Sequence, residues 1–562
     1  MAKTDELEEY WAMRPWLMAA TGAVAGLIFW FLVDMPGSAD PPPIRQAAAA
    51  FVIVATGSFL MTAERLRLAW AAAFALVWGA IIGMIGFYTA TYNFHGEIVE
   101  FPFLSALLAV GIAGPLFQVI RDRGRPELPY APLHRYVWDD AIIGAASFAF
   151  TGLTFLLSFL LAQLFNAIGI SLFKDLLDEG WFMWMLAGSA FGAASAILRE
   201  RAPLLATLQR LVTIIISVLA PVFAVALVLF LIALPATGFA GLWKSGVPET
   251  PLLLAVAGFA FVFLNAIIGD SPDDRREGRL WRLTEIGLLA SVLPLGVLAL
   301  VSMSMRVDQY GWTPERLWGV IACVVAIAFG LANWVAFALD RSRFDVRLRD
   351  YQKKLAVGVC GLALLLAMPI LDFGKISTNS QLAKLESGKI AADKFDWAAL
   401  KFDFGPAGRR ALEHYARSGM GDAKMLAMQT LQLESRYDID RAVEVEHRAD
   451  KLEQNIEVAS PDIVLTDALR HNIANLRNCG ELARCKLFRL DEHRLILLVA
   501  AGVPQTLERM IIDERVTKGV AEKNYPQPDA RNIDMSAVDI EIRDVATKQV
   551  FVDGQAVGAP FE

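Results

Sequence analysis

Along the first 371 residues, stretches of seventeen or more mostly apolar residues alternate with short polar punctuation. A helix rising about 1.5 Å per residue needs roughly that length to cross ~30 Å of hydrocarbon. The pattern predicts about eleven such helices, at 15–34, 46–62, 68–90, 103–120, 140–166, 181–198, 211–235, 251–268, 285–304, 317–339 and 355–371. After Asp372 the pattern shortens. Ser377 or Thr378 can cap a helix over Gln381–Glu386, Gly388 can stop it, and Pro406 suits the first turn of the next. Further helices are expected over Ala442–Glu457 and from Ser460-Pro461 through Leu476. Beyond Cys479 the period falls to two. Lys486–Leu490 and Leu495–Ala500 read as a hairpin; Val538, Ile540 and Ile542 alternate, as do Val550 and Val552 before an Asp553-Gly554 turn. The expected fold is an α-helical polytopic membrane bundle of about eleven transmembrane helices, followed by a small α+β soluble domain. Its expected parts are an N-terminal segment 1–14, a membrane domain 15–371, a helical membrane-proximal segment 372–431 and an α+β domain 432–562.

Charge sharpens this division. Of the 111 Asp, Glu, Lys and Arg residues, 56 lie from Phe373 onward, so the first two thirds are charge-poor, as a lipid-facing segment must be. Nineteen Lys and Arg, from Arg65 to Lys354, fall in one set of loops; the alternate loops hold five, Arg45, Lys174, Lys244, Arg306 and Arg316. By the positive-inside rule this puts the N-terminus in the cytoplasm. Eleven crossings then put the C-terminal domain outside, in the periplasm if the membrane is a bacterial inner membrane. The first apolar run follows Asp5, Glu6, Glu8 and Glu9, a flank unlike the positive n-region of a signal peptide. A net charge of −7 gives no basic patch for nucleic acid.

Spacing suggests how the helices pack. Gly22-xxx-Gly26, Gly79-xxx-Gly83 and Gly188-xxx-Gly192 allow close backbone approach. Pro221 and Pro294 fall mid-helix and are expected to kink or break their helices. The helix cores carry the amides Gln163, Asn166, Asn265 and Asn333, suited to interhelical hydrogen bonds or a polar path, and lack the acidic or basic groups of a proton-driven pump.

Candidate chemistry is sparse. No Walker sequence or strand-linked G-x-G-x-x-G is present, and the six His show no metal-ligand spacing; no cofactor, metal or nucleotide is expected. Between the ninth and tenth helices, Arg306 and Arg316 flank Asp308, Tyr310 and Trp312. Structurally, Thr313 caps the next helix, Pro314 takes its first position and Glu315 suits its dipole. Functionally, the two arginines suit an anionic lipid headgroup. A second polar loop holds His95, Glu97 and Glu100, either solvated or an acid/base group. Cys479 and Cys485, six apart, are candidates for a structural disulfide; Cys323 and Cys360 fall in membrane helices.

The stretch Tyr310-Gly311-Trp312-Thr313-Pro314-Glu315-Arg316, with Ile376-Ser377, Ser380-Gln381-Leu382 and Phe395-Asp396-Trp397…Leu400-Lys401-Phe402, resembles a bacterial membrane family known only as domain of unknown function number four-one-five-three. The resemblance implies a bacterial inner-membrane protein with an outward C-terminal region and supplies no activity or site. Three functions stay open: a non-catalytic envelope scaffold, sensor or lipid-handling factor, whose partners are the bilayer, lipid headgroups or envelope proteins; a transporter or lipid translocase; and a glycosyltransferase-like enzyme. The third wants an acidic motif in a long first outer loop, where only Asp34 and Asp40 stand.

Overall fold

The computed structural model describes residues 11–34, 41–91, 97–238, 248–271, 275–433, 435–436, 448–449, 452, 455–475, 484–501, 506–513, 548–552 and 555–561. The chain forms two compact units, Met1–Leu431 and Gln432–Glu562. In the first, the described helices are α1 (Arg14–Phe29, continued by a π turn to Asp34), α2 (Pro43–Thr62), α3 (Leu68–Thr91), α4 (Glu97–Arg123), α5 (Tyr130–Ala167), the short α6 (Leu172–Asp178), α7 (Gly180–Glu200), α8 (Ala202–Thr237), α9 (Glu249–Ile268), α10 (Arg279–Tyr310), α11 (Pro314–Leu339), α12 (Phe344–Ala367), α13 (Phe373–Glu386), α14 (Trp397–Phe402), α15 (Gly405–Ser418) and α16 (Gly421–Gln432). Among the described residues, ten helices are long and apolar enough to cross a membrane: α1 to α5 and α7 to α11. Large apolar side chains such as Phe148, Leu160 and Leu164 on α5, and Val218, Val222 and Ile232 on α8, face outward, as lipid-facing surfaces do.

The expected eleventh crossing, α12, is a helix whose first half carries Asp350, Lys353 and Lys354. Its contacts fix its course. Arg349 Nη2 donates to the Ile268 carbonyl at the C-terminus of α9 (2.9 Å). Nearer its other end, the Ala363 carbonyl accepts from Ser105 Oγ of α4 (2.9 Å). Just beyond α12, Phe373 packs edge-on against Trp318, in the first turns of α11. The two ends of α12 therefore lie at opposite ends of the bundle. Its charged half stays among polar partners at one end, leaving an apolar run too short to register as a span on composition alone.

The glycine spacings pair with one another. A Cβ on Gly22 would lie 2.0 Å from the Gly188 carbonyl oxygen, one on Gly26 2.1 Å from that of Trp184, and one on Gly192 2.3 Å from that of Met18. The Gly22/Gly26 and Gly188/Gly192 motifs thus form the two sides of one crossing, α1 on α7. Gly79 and Gly83 do the same for α3 against Phe51, Ala55 and Ala47 of α2. Pro221 and Pro294 break neither α8 nor α10, which run on past them; in a membrane bundle neighbouring groups can satisfy the carbonyl such a proline frees.

Past α12 the helix caps differ from those expected. Asp372, not Ser377 or Thr378, caps α13, its carboxylate accepting from the Lys375 N–H (2.8 Å). Ser377 and Thr378 are buried within the helix. Gly388 follows its end at φ +69°, and Pro406 sits in the first turn of α15, both as expected. Helices α13 to α16 close around Phe395, Trp397, Leu400, Phe404 and Leu412.

The second unit holds β1 (Ile456–Val458), α17 (Asp467–Asn475), β2 (Arg484–Arg489), β3 (Arg494–Ala501), β4 (Thr506–Asp513), β5 (Lys548–Val552) and β6 (Gln555–Phe561). The first four strands form one sheet in the order β1-β2-β3-β4, with β1 parallel to β2 and the rest antiparallel; β5 and β6 form a hairpin. The expected hairpin is β2–β3, with Cys485 opposite Val499 and Leu487 opposite Leu497. These residues share a buried face with Leu495 and Ile512, the period-two signature of a half-buried sheet. Two expectations fail here. Ile456 and Glu457, the end of the helix expected over Ala442–Glu457, belong instead to strand β1. Ser460 caps no helix: its hydroxyl accepts from the Arg489 N–H (3.0 Å), and Thr466 Oγ1 accepts from Leu469 at the start of α17 (3.3 Å). Val538, Ile540, Ile542 and the Asp553-Gly554 turn lie outside the described residues.

Candidate functional site

The loop between α10 and α11 is built into the protein. Thr313 caps α11 through the Arg316 N–H, with Pro314 in the first turn. Arg306 Nη2 donates to the buried Glu249 carboxylate at the start of α9 (2.7 Å). Arg316 Nη1 donates to the Gly311 carbonyl (2.7 Å), and its guanidinium lies over the Tyr310 ring. The carbonyls of Asp308 and Gln309 accept from Lys384, and those of Tyr310 and Trp312 from Gln381 Nε2, both on α13. The two stretches 310–316 and 380–382 therefore bind each other. Both candidate headgroup arginines are engaged with protein groups, although Arg306 remains half exposed. Gly311 sits at φ +84°, and a Cβ there would lie 2.9 Å from Gln381 Nε2. Gly311→Ala is expected to loosen this contact, raising protease cleavage in 306–316 several-fold, while Gln381→Ala, which removes hydrogen bonds alone, has a smaller effect.

Of the other candidates, His95 and Cys479 lie outside the described residues. Glu97 and Glu100 belong to the first turn of α4. Cys485 is buried and disulfide-bonded, and Cys323 and Cys360 are free. Asp34 accepts from the Trp184 indole (3.1 Å), and Asp40 is outside the described residues. Among the described residues no group of three or more His, Cys, Asp or Glu is placed to hold a metal ion.

The polar groups converge instead at the arginine-rich end. The last carbonyls of an α-helix lack intrahelical partners and carry the negative end of its dipole. At the C-terminus of α2, three arginines from three other helices supply donors. Arg199 (α7) bonds the Met61 carbonyl, Arg121 (α4) that of Thr62, and Arg14 (α1) that of Ala63. Carboxylates balance them: Arg14 meets Glu64 and Glu200 (both 3.3 Å), and Arg199 meets Asp140 (2.8 Å), which also accepts from Gln118 (2.5 Å). A second cluster closes the end of α9. Arg349 bonds Asp345 (2.7 Å) and the carbonyls of Ile268 and Ser271, while Arg275 bonds Glu285 (2.6 Å) and Asp345 (3.1 Å). The bond to Glu285 holds the Arg275 guanidinium above its ordinary range.

Between these two clusters lies an open cleft of about 560 Å³. Arg135 of α5, Arg210 of α8 and Arg276 line it, with Gln209, Asp270 and His134. None of the three arginines has a carboxylate within salt-bridge distance among the described residues; Arg276 stacks on Trp281. His134 and Trp138 also line a second cavity, of about 450 Å³, walled by Leu116, Leu133, Val137, Val262 and other apolar groups. Its few polar groups gather near Tyr130, whose hydroxyl lies 3.1 Å from Asn265 Oδ1, 3.1 Å from Gln352 Oε1 and 3.2 Å from His134 Nδ1. Asn265 is fixed by donation from Nδ2 to the Phe261 carbonyl (2.8 Å). Gln352 is 5% exposed, and its Nε2 has no hydrogen-bond partner among the described residues. Phe261, Phe329 and Val359 then separate this cavity from a third, about 370 Å³ and apolar, reaching Ser105 and Trp318 toward the opposite end. The two phenyl rings meet edge-on at 5.0 Å.

This arrangement was hidden in the sequence. Along the chain, Arg135, Arg210 and Arg276 carry only the loop-charge bias, and His134 is one of six scattered histidines. One signal was available. Helices α5 and α8, at 38 and 36 residues, far exceed the ~20 needed to span, which leaves room for their polar ends to project beyond the hydrocarbon.

A model of the family described as domain of unknown function DUF4153 matches residues 46–412. No curated protein and no solved structure matches the chain.

Proposed function

Since the chain belongs to the DUF4153 family, whose description carries no activity, we propose from the geometry of the site that it is a lipid-handling protein, binding an anionic amphiphile at the arginine-rich end of the bundle. The observation that carries this reading is the shared wall. His134 and Trp138 line both a cleft rimmed by three arginines and an adjoining apolar cavity, a polar and an apolar chamber in the order a lipid presents its headgroup and chain. Arginine suits phosphate through its planar fork of donors, and both volumes fall in the roughly 300–1,000 Å³ range of small-molecule sites. The asymmetry of Lys and Arg supports a cytoplasmic location for this end, in a bacterial inner membrane. The course of α12 supports an odd number of crossings, and with it a periplasmic C-terminal unit.

A second reading, lipid translocation, draws support from the third cavity beyond Phe261 and Phe329, which extends the apolar track toward Trp318. Lipid mass spectrometry on gently extracted protein tests binding. An anionic lipid is expected to accompany the native protein and to fall at least about tenfold in the Arg135→Ala/Arg210→Ala/Arg276→Ala variant. Equal lipid content in both would remove the site from consideration.

A further inference from the structure

The cleft at the arginine-rich end carries a charge that the fold leaves unbalanced. Arg135 on α5, Arg210 on α8 and Arg276 after α9 line it from three separate segments. Arg135 and Arg210 are exposed and Arg276 is half-buried, and none has a carboxylate within salt-bridge distance among the described residues. The described carboxylates nearby are committed elsewhere. Asp139 accepts from Gln209, Asp140 from Arg199 and Gln118, and Glu285 and Asp345 from Arg275. Asp270 is the one described carboxylate in the lining. With His134 counted neutral, the described lining has an excess of two positive charges. A cleft lined by one sign of charge concentrates its field and draws in an ion of the opposite sign.

Resting on the lipid reading above, we infer that the headgroup is a terminal phosphate, a phosphomonoester with three free oxygens and close to two negative charges at neutral pH. Its charge matches the excess in the lining, and its oxygens offer one to each guanidinium fork. A phosphodiester brings one charge and two free oxygens. It leaves one positive charge unmatched and one arginine without an oxygen of its own. Size plays little part in this choice, because the cleft is open and the extra substituent of a diester can point to water. Arg135, Arg210 and Arg276 bind the phosphate, and Asp270 holds the excess at two and so sets the favoured charge of the ligand.

The test uses the full-length protein in detergent, with retained lipid measured by mass spectrometry. Two lipids with identical acyl chains compete: phosphatidic acid, a phosphomonoester, and phosphatidylmethanol, whose phosphate carries one added methyl. At about pH 8.5 the native protein is expected to favour phosphatidic acid roughly tenfold, the worth of one more charge set against two in a wet cleft. At about pH 5, below the second phosphate pKa of ~6, both lipids carry close to one charge and the preference is expected to fall below about twofold. Arginine keeps its charge throughout, and protonation of His134 would strengthen both lipids alike. Arg210→Gln, which changes an exposed side chain, is expected to fold and to show a preference below about threefold at the higher pH. Glycerol 3-phosphate, the same phosphate without chains, is expected to leave phosphatidic acid bound at equal concentration. Equal binding of the two lipids by the native protein, or a preference that persists at the lower pH or in Arg210→Gln, would each overturn the terminal-phosphate assignment and leave the lipid reading intact. Displacement by glycerol 3-phosphate would overturn the lipid reading and keep the phosphate chemistry. Retention of neither lipid, or retention that ignores the Arg135→Ala/Arg210→Ala/Arg276→Ala variant, would overturn both.

Discussion

Gly22→Leu is expected to abolish recovery of folded, monodisperse protein from the membrane, and Gly188→Leu to do the same. At this crossing the obstacle to a side chain is backbone. A single Cβ on either glycine would sit 2.0 Å from the other's carbonyl oxygen, and a peptide plane in a helix cannot rotate away without breaking its hydrogen bond. Overpacking a core by a methylene or two costs roughly 1–3 kcal/mol when side chains can give; here the helices themselves must part. Separation of α1 from α7 would also withdraw Arg14 from Glu200 of α7, so loss of packing and loss of charge balance act together. Gly57→Ala and Gly152→Ala, where an added Cβ meets nothing within 4 Å, are the matched controls and should be neutral or slightly stabilising. Size-exclusion profiles of the four variants decide the matter: a Gly22→Leu protein eluting like Gly57→Ala would mean that this close approach does not hold the bundle together.

Removal of Arg199 should lower stability by about 3–5 kcal/mol, the usual cost of breaking a buried ion pair from one side. Its side chain is buried, and it serves Asp140, the Met61 carbonyl and Gln118 at once. Arg199→Ala would leave Asp140 with Gln118 as its hydrogen-bond partner and a helix terminus short of a donor. Arg199→Lys should recover only part of the loss, since an ammonium on a flexible stem does not reproduce the planar fork that bonds a carboxylate and a carbonyl together. The Arg199→Ala/Asp140→Ala pair is expected to be less destabilised than the sum of the single variants, because it removes the stranded charge. Thermal unfolding in detergent measures all four. Strict additivity would show that the pair is not energetically coupled, and the account of three arginines closing α2 would lose its electrostatic half.

What could be read in the chain, and what could not, divides by range. The membrane helices were legible because the crossing requirement acts on each segment separately: a run is long and apolar enough, or it is not. The Thr313-Pro314-Glu315 start of α11 was legible for the same reason, as a cap needs only three or four neighbouring residues. Where two neighbours offered similar chemistry, locality misled. Asp372 takes the cap that Ser377 or Thr378 could have filled, and the Ser460 hydroxyl accepts from the N–H of Arg489 in β2, a partner 29 residues away.

The sequence by itself determined a membrane bundle with most of its loop arginines in one set of loops, because hydrocarbon excludes charge from any span whatever its neighbours and the positive-inside bias acts on each loop separately. Only the tertiary structure decided that two glycine motifs 166 residues apart form one crossing, and that α12 travels the length of the bundle with its charged half sheltered by Arg275 and the end of α9. The same holds for His134, Arg210, Arg276 and Gln352, which come from separate segments of the chain to surround adjoining cavities. No local rule could assemble them. An arginine on a projecting helix end satisfies its own segment equally well facing water or facing a cleft, and the difference lies in which helices stand beside it.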